Sequence, residues 1–330
     1  MTALPDPSHP LDAQAAAQAF ALLLDGGAND ANVGQFLLTL SERGETAIEI
    51  AAAVRAMRER MVRVTAPANA IDVCGTGGDG QHSLNISTAV AIVVAAAGVP
   101  VAKHGNRAAS SQAGGADTLE ALGLNLDRAA EAAEDSLADI GIAFLFAQKH
   151  HPALAKLAPI RKAIGRRTIF NLTGPAANPA GVTRQLIGIA RPDFMPVYAD
   201  ALAMLGMADA MLVAGDEPLD ELSVAGPSSY IRIGHAAGRV TPVDAGLKYH
   251  RPDALRGGDA AFNAAALYRL LRGECASASD AAYRDAVLFN AAGALMVAGV
   301  APDWTSGVGE AAEAIDKGLA KALLDCWIAY

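Results

Sequence analysis

Cysteine is scarce: three in 330 residues, at 74, 275 and 326, with no C-x-x-C pair. That excludes a disulfide framework and a cysteine-based zinc site, and it fits a reducing compartment. Positive charge is also short, with 26 Lys and Arg against 35 Asp and Glu and a formal net charge of -9. Such a balance argues against broad binding of nucleic acid or anionic membrane, though it leaves room for a local basic pocket. The longest apolar run, "TAVAIVVAAAGVPVA" at 88–102, is interrupted by Gly98 and Pro100 and falls short of the roughly 20 residues a membrane span needs. The opening "MTALPDPSHP" has neither the basic nor the apolar segment of a signal peptide. Together these absences predict a soluble, cytoplasmic protein with no nucleic-acid and no membrane partner. Aromatics make up 5% and charged residues 18%, against 52% hydrophobic, so the chain folds rather than staying disordered. Its length suits about two domains.

What is present divides in two. Residues 1–66 read as helix only: "AQAAAQAFALLLDGG" stops on a glycine pair, and "ETAIEIAAAVRAMRERM" carries apolar residues at helical spacing. After the linker "VTAPANA", strands and helices alternate over 67–330. Strands are expected at "IDVC", "VPVA", "IAFLFA", "QLIGIA", "DAMLVAG" and "SYIRIG". Helices are expected at "NISTAVAIVVAAAG", "GADTLEALG", "LDRAAEAAEDSLADIG" and "HPALAKLAPIRKAIG", and over 258–273, 278–298 and 308–328. The Gly-, Pro- and Asn-rich "RTIFNLTGPAANPAG" reads as a loop. This order predicts an α/β fold: a small all-helical domain, then a large domain with a mainly parallel or mixed sheet flanked by helices.

The stretch "DVCGTGGDG" (72–80) fits G-x-G-x-x-G, a phosphate-cradling pattern, yet carries Asp79 inside the loop. A dinucleotide site also requires an acid near the end of the next strand; there the sequence offers "VPVAKHGN", with Lys103 and no acid. A nucleotide-triphosphate loop requires Lys and Ser or Thr after Gly80, where Gln81 and His82 stand. What survives is a smaller phosphorylated ligand. Asn85 opens "NIST" as an N-cap with Ser87 and Thr88 in the first helical turn, a natural anion site. "KHGNRAASS" adds Lys103, His104, Asn106, Arg107, Ser110 and Ser111. The bland alternative, ordinary turns capped by Ser and Asn, would cover one such loop better than two in succession.

Further on, "GDEPLDELS" holds Asp216, Glu217, Asp220 and Glu221 after an apolar strand. Asp216 and Glu217 suit a solvated loop, whereas the adjacent Asp220 and Glu221 are hard oxygen donors of the kind Mg²⁺ takes beside substrate phosphates. In "PIRKAIGRRTIF", Arg161 sits beside Pro159 and Ile160 and is placed to face inward, where a guanidinium captures a carboxylate. Lys162 and Arg166 suit solvent. His150 and His151 lack metal-ligand spacing and suit packing.

In this order, "GTGGDG", "NIST", "KHGNRAASSQAGGADTLEALG", "HHPALAKLAPIRKAIGRRTIFNLTGPAANPAG" and "LDELS" resemble the anthranilate phosphoribosyltransferase family, as do "GGDAAFNAAAL", "DAVLFNAAGAL" and "EAAEAIDKG". The resemblance runs from about residue 10 to the end. It implies the nucleoside phosphorylase/phosphoribosyltransferase type of fold, with residues 151–175 joining the helical domain in space, and a homodimer. It leaves room for association with anthranilate synthase. It implies transfer of phosphoribose from phosphoribosyl pyrophosphate to the amine of anthranilate, in tryptophan biosynthesis, with Mg²⁺ as two ions. Carried over by position, Gly75, Gly78, Asp79, Ser83, Asn85, Ile86, Ser87, Thr88, Lys103, Asn106, Ser111 and Gly115 would hold the donor. Gly75, Asn106, Arg161, His104, Gly174 and Pro175 would surround anthranilate, and Ser87, Asp220 and Glu221 would serve the metal. The attacking aniline is a neutral amine, so no general base is named. Asp79 would then accept hydrogen bonds from ligand hydroxyls, backbone N–H groups or metal-bound water, with a turn-capping role as the alternative. Ala176, Gln148, Ala214 and Pro218 depart from the family's usual residues without removing a named ligand. A pyrimidine nucleoside phosphorylase is the neighbouring alternative, and a non-catalytic nucleic-acid-binding relative, which should be basic, ranks below it.

Overall fold

Three capped helices open the chain in the computed structural model, which describes residues 3–108, 111–217 and 219–330. The Asp12 carboxylate accepts the Ala15 N–H to start α1 (Ala13–Asp25), and Gly26, in the left-handed conformation, ends it. Asn29 starts α2 (Asp30–Arg43) in the same way. A capping box of Thr46 and Glu49 starts α3 (Ala47–Arg60). The Glu49 carboxylate also reaches Arg43 at 2.6 Å and the Leu11 N–H at 2.9 Å, which fixes the α2–α3 corner against the chain's first segment.

Seven strands follow: β1 (Ile71–Gly75), β2 (Val101–Gly105), β3 (Ile142–Phe146), β4 (Arg184–Gly188), β5 (Asp209–Gly215), β6 (Ser228–Arg232) and β7 (Ala237–Val240). They make one sheet in the order β3-β2-β1-β4-β5-β6-β7. The first five run parallel; β6 and β7 are antiparallel. The sheet is therefore mixed. β7 is short and carries only one buried residue, which is why no hydrophobic run announces it.

Helices fill the crossovers. α4 (Ile86–Ala96) joins β1 to β2, and α5 (Gly115–Ala121), α6 (Leu126–Glu131) and α7 (Ala133–Asp139) join β2 to β3. Between β3 and β4 lie α8 (Ala147–His150), α9 (Ala158–Ile164) and α10 (Ile169–Ala176), and α11 (Met195–Met204) joins β4 to β5. α12 (Ala260–Leu271), α13 (Ala278–Ala298), α14 (Trp304–Asp316) and α15 (Leu319–Ala329) close the chain. Three expectations need correction. The run 126–141 breaks at Ala132 into two helices, and the last run begins at Trp304 and breaks at left-handed Gly318. The "loop" at 167–181 contains α10. There the Asn171 side chain accepts the Thr168 N–H at 3.0 Å to close the first turn, and Ile169, Phe170, Leu172 and Ala176 are buried. Packing thus overrides the local breaker signals, including Pro175, which sits inside the helix and forgoes the bond to the Asn171 carbonyl.

Side-chain alternation splits the core between the two faces of the sheet. Val73, Val101, Phe144, Leu186 and Met211 share one cluster with α4 and α13. Ile187, Leu212 and Ala214 share another with α1–α3, α10 and α11. Strand order reverses between β1 and β4, whose last residues, Gly75 and Gly188, are register partners. In open α/β sheets the crevice beyond such a reversal is the binding position.

Candidate active site

At that reversal the two glycines make room for one acidic residue. A Cβ on Gly75 would overlap the Asp220 carboxylate, and a Cβ on Gly188 would overlap the Asp220 backbone. Only glycine in both strands lets Asp220 lie across their ends. Asp220 Oδ2 then accepts the Gly77 N–H at 2.7 Å, linking this segment to the "GTGGDG" loop. Burial, then the neighbouring Asp79 carboxylate, push the Asp220 carboxyl up to about 7, while the Gly77 N–H acts against them. Glu221 is buried, and burial and then Asp220 push its carboxyl up; Lys103 and the Ser87 N–H oppose. Asp216 and Glu217 are anchored rather than free, to Arg239 and Ser223 respectively.

The loop itself depends on glycine conformations. Gly77, Gly78 and Gly80 all have positive φ. Asp79 accepts the Gln81 N–H at 3.1 Å, so it does cap a turn, and it also faces Asp220. Ser83 forms a bridge with Arg256. Asn85 occupies the N-cap position of α4 but does not cap it. Its amide donates to the Ala113 carbonyl at 3.2 Å, and its oxygen accepts from Thr118 Oγ1 and from Asn263 Nδ2 at 2.9 Å. The expected cap is thereby withdrawn from the helix start, where the Ser87 N–H meets the Glu221 carboxylate instead. Ile86 is buried with its N–H on the Leu84 carbonyl; Thr88 is buried with Oγ1 against Gly115, where a Cβ would come within 2.9 Å.

Lys103, in β2, is buried and donates to the Val73 carbonyl at 2.8 Å. It makes no ion pair with a carboxylate among the described residues. Asn106 and Ser111 are exposed at the same strand ends, Asn106 accepting from the Arg107 N–H at 2.8 Å and Ser111 donating to the Ala113 carbonyl at 3.3 Å. Arg107 is not free for a ligand: it pairs with Asp117 at 2.8 Å and with Glu120, over the Phe146 ring. Ser110 and Pro218 lie outside the described residues.

On the opposite side of β2, buried His104 shares a hydrogen bond through Nδ1 with the Gly174 carbonyl at 3.0 Å and lies 5.1 Å from the His151 ring. Burial first and His151 second hold the His104 pKa down to about 3; burial and His150 hold His151 down to about 4. Both rings are therefore neutral at pH 7. Arg161 in α9 is half-buried, donates to the side-chain Oδ1 of Asn171 at 3.3 Å and has no acidic partner among the described residues. Burial lowers its pKa. Arg167 is a residue that spacing left unassigned: it is half-buried, and Asp220 is among the charges acting on it. Also unsuspected were Gly188, Asn263 and the buried Asp72. The last had a visible signal, a charge within the apolar strand "IDVC".

A glycine-rich loop, a buried ammonium with no carboxylate ion pair among the described residues and two acids meet at a sheet reversal, with a helical layer beyond, and the class this two-part build belongs to is the glycosyl transferases. Residues 67–321 match the family described as "Glycosyl transferase family, a/b domain", and 7–61 match "Glycosyl transferase family, helical bundle domain". The anthranilate phosphoribosyltransferase of Novosphingobium aromaticivorans is 64% identical over 332 residues, covering 100% of this chain and 99% of that protein. The crystal structure of the Thermus thermophilus enzyme of that name is similar at a TM-score of 0.90 with 40% identity, covering 98% of this chain and 96% of that one. That of Saccharomyces cerevisiae, in complex with PRPP and Mg, is similar at 0.89 with 27% identity, covering 97% and 93%. The chain belongs to the anthranilate phosphoribosyltransferase family. These relatives do not favour the nucleoside phosphorylase alternative.

Proposed function

We propose that the chain transfers the 5-phosphoribosyl group from phosphoribosyl pyrophosphate to the amine of anthranilate, giving N-(5-phosphoribosyl)anthranilate and pyrophosphate in tryptophan biosynthesis. The observation that carries this is the meeting of the glycine loop, Lys103, Asp220 and Glu221 at the ends of β1 and β4. The donor side comprises Gly75, Gly78, Asp79, Ser83, Asn85, Ile86, Ser87, Thr88, Lys103, Asn106, Ser111 and Gly115. The acceptor side comprises Gly75, Asn106, His104, Arg161, Gly174 and Pro175. The half-buried Arg161 guanidinium receives the anthranilate carboxylate. Lys103 and the positive end of α4 stabilise the charge that develops on departing pyrophosphate; preorganised donors of this kind are worth about 3 kcal/mol each. Holding the neutral amine in line with ribose C1 supplies much of the remaining rate, so no side chain need act as a base.

The acidic residues fit magnesium. Asp220 and Glu221 are hard oxygen donors driven toward protonation first by burial and then by a neighbouring carboxylate, Asp79 for Asp220 and Asp220 for Glu221, a cost a cation relieves. No three His, Cys, Asp or Glu side chains among the described residues converge into a cage, which suits an ion that takes one or two carboxylates and completes its shell with phosphates and water. Ser87, Asp220 and Glu221 would hold two such ions, which when bound neutralise the diphosphate.

The proposal extends to a cytoplasmic homodimer with its helical part formed by 1–66 and 151–175 and its α/β part by 67–330. The three free cysteines suit a reducing compartment, and the shared cluster of α1–α3 with residues 157–177 supports the grouping of the helical part. Mixing the protein with both substrates and Mg²⁺ should abolish anthranilate fluorescence, and chelation should stop the loss. Undiminished fluorescence with Mg²⁺ present would reject the assignment.

A further inference from the structure

Asp72 stands in β1 with no exposed surface, three positions before Gly75. Its Oδ1 accepts the His104 N–H at 3.1 Å. Its Oδ2 accepts from Asn178 Nδ2 at 2.9 Å and from Gln185 Nε2 at 3.2 Å. Two of these links lead onward to one dipeptide. The His104 ring meets the Gly174 carbonyl at 3.0 Å, and the same Gln185 nitrogen donates to the Pro175 carbonyl at 2.7 Å. Asn178 adds a bond to the Ala102 carbonyl at 2.8 Å, so β1, β2, β4 and the end of α10 are joined through one carboxylate.

This arrangement is costly for a core. A buried charge and buried amides need every partner to recover their hydration, and Gln185 Oε1 has none among the described residues. The Gln185 amide cannot turn to relieve it, because its nitrogen faces two acceptors, Asp72 Oδ2 and the Pro175 carbonyl. Apolar residues would pack the same space without this cost. What the polar network adds is direction: a hydrogen-bonded group holds its neighbours at set distances and angles. Here the groups held are His104, Gly174 and Pro175, and the strand that holds them continues directly into the glycine loop.

We propose that Asp72, acting through Gln185 and Asn178, is a positioning residue that sets the wall formed by His104, Gly174 and Pro175 at a fixed distance from the donor loop. The inference rests on the function proposed above. It predicts a split between the two substrates: loosening the network displaces the acceptor wall, while the donor contacts beyond Gly75 keep their places.

Gln185→Met removes both hydrogen bonds of that side chain at similar volume. The expected result is a rise of at least fivefold in the KM for anthranilate, with the dissociation constant of phosphoribosyl pyrophosphate and Mg²⁺, read by calorimetry, unchanged within twofold. Asp72→Asn should move the anthranilate KM further in the same direction, since it breaks the hub; if that variant does not fold, Gln185→Met decides alone. An unmoved anthranilate KM in Gln185→Met, or equal weakening of both substrates, overturns the inference. The wild-type protein, assayed alongside, separates the two levels. If it fails to consume anthranilate, the functional assignment falls; if it reacts normally while Gln185→Met behaves like it, only the positioning role falls.

Discussion

A half-buried guanidinium without an acidic neighbour is an incomplete interaction, and among the described residues Arg161 is one. Charge-assisted bonds are worth about 1.5–3 kcal/mol, so Arg161→Ala should raise the anthranilate KM about 10- to 100-fold and leave the donor's KM within twofold. Steady-state kinetics with each substrate varied would check it, and a selective loss of donor affinity would contradict the placement. At this scale the sequence was legible where chemistry is unusual for its surroundings. Lys103 beside glycine-rich turns and the Asp220–Glu221 pair after an apolar strand stood out by type alone. Arg107 stood out equally but is engaged by Asp117 and Glu120, because its pairing depends on a helix that spacing cannot orient. Asn85 was legible as a cap position but not as a cap that is withdrawn: Thr118 and Asn263 compete for its oxygen from elements far along the chain.

Among the elements, strands were the most readable, since short apolar runs bounded by glycine leave few alternatives. Helix α10 was not, because its residues are breakers by propensity and helical only through burial and the Thr168–Asn171 contact. The β1–β4 junction is the element pair on which the site depends most. Gly188→Ala would force its methyl into the Asp220 backbone; overpacking of this sort costs about 1–3 kcal/mol. The expected outcome is a loss of more than tenfold in turnover with a raised magnesium requirement. Gly309→Ala, where a Cβ meets nothing within 4 Å, should leave turnover unchanged. Rates measured across a magnesium titration would check both.

For the molecule as a whole, three buried histidines, 104, 150 and 151, lie among residues that connect the sheet to the helical layer. Each has its pKa lowered by burial, His104 to about 3 and His151 to about 4. The folded form therefore keeps them neutral, whereas the unfolded chain takes up protons near pH 6.5. Between about pH 6.5 and 4 the unfolded state binds more protons, so stability is full above that window and falls as pH drops through it, by up to about 1.4 kcal/mol per unit for each ring. Buried Asp220 and Glu221, whose carboxyls are pushed up, act in the opposite sense over the same range, so the histidine contribution is read by difference: between pH 7.5 and pH 5 the urea midpoint of His151→Gln should fall less, or rise more, than that of the wild type. Identical pH dependence in the two proteins would contradict this. The division into a helical portion and an α/β portion was plain in the sequence. That His104 and His151 come within 5.1 Å was not, since the pair forms only after β2 and the segment following β3 fold together.

The change of strand direction after β5 has its own consequence. Every earlier connection in the parallel part carries the chain off the strand ends and over a face of the sheet before it returns. Between β5 and β6 the chain instead doubles back at the same end. It thus stays above the sheet rim long enough to lay Asp220 across β1 and β4, its second and first neighbours. One more helical crossover there would have sent those acids down a flank, so a reversal that looks like mere edge trimming decides where the molecule's negative charge is delivered.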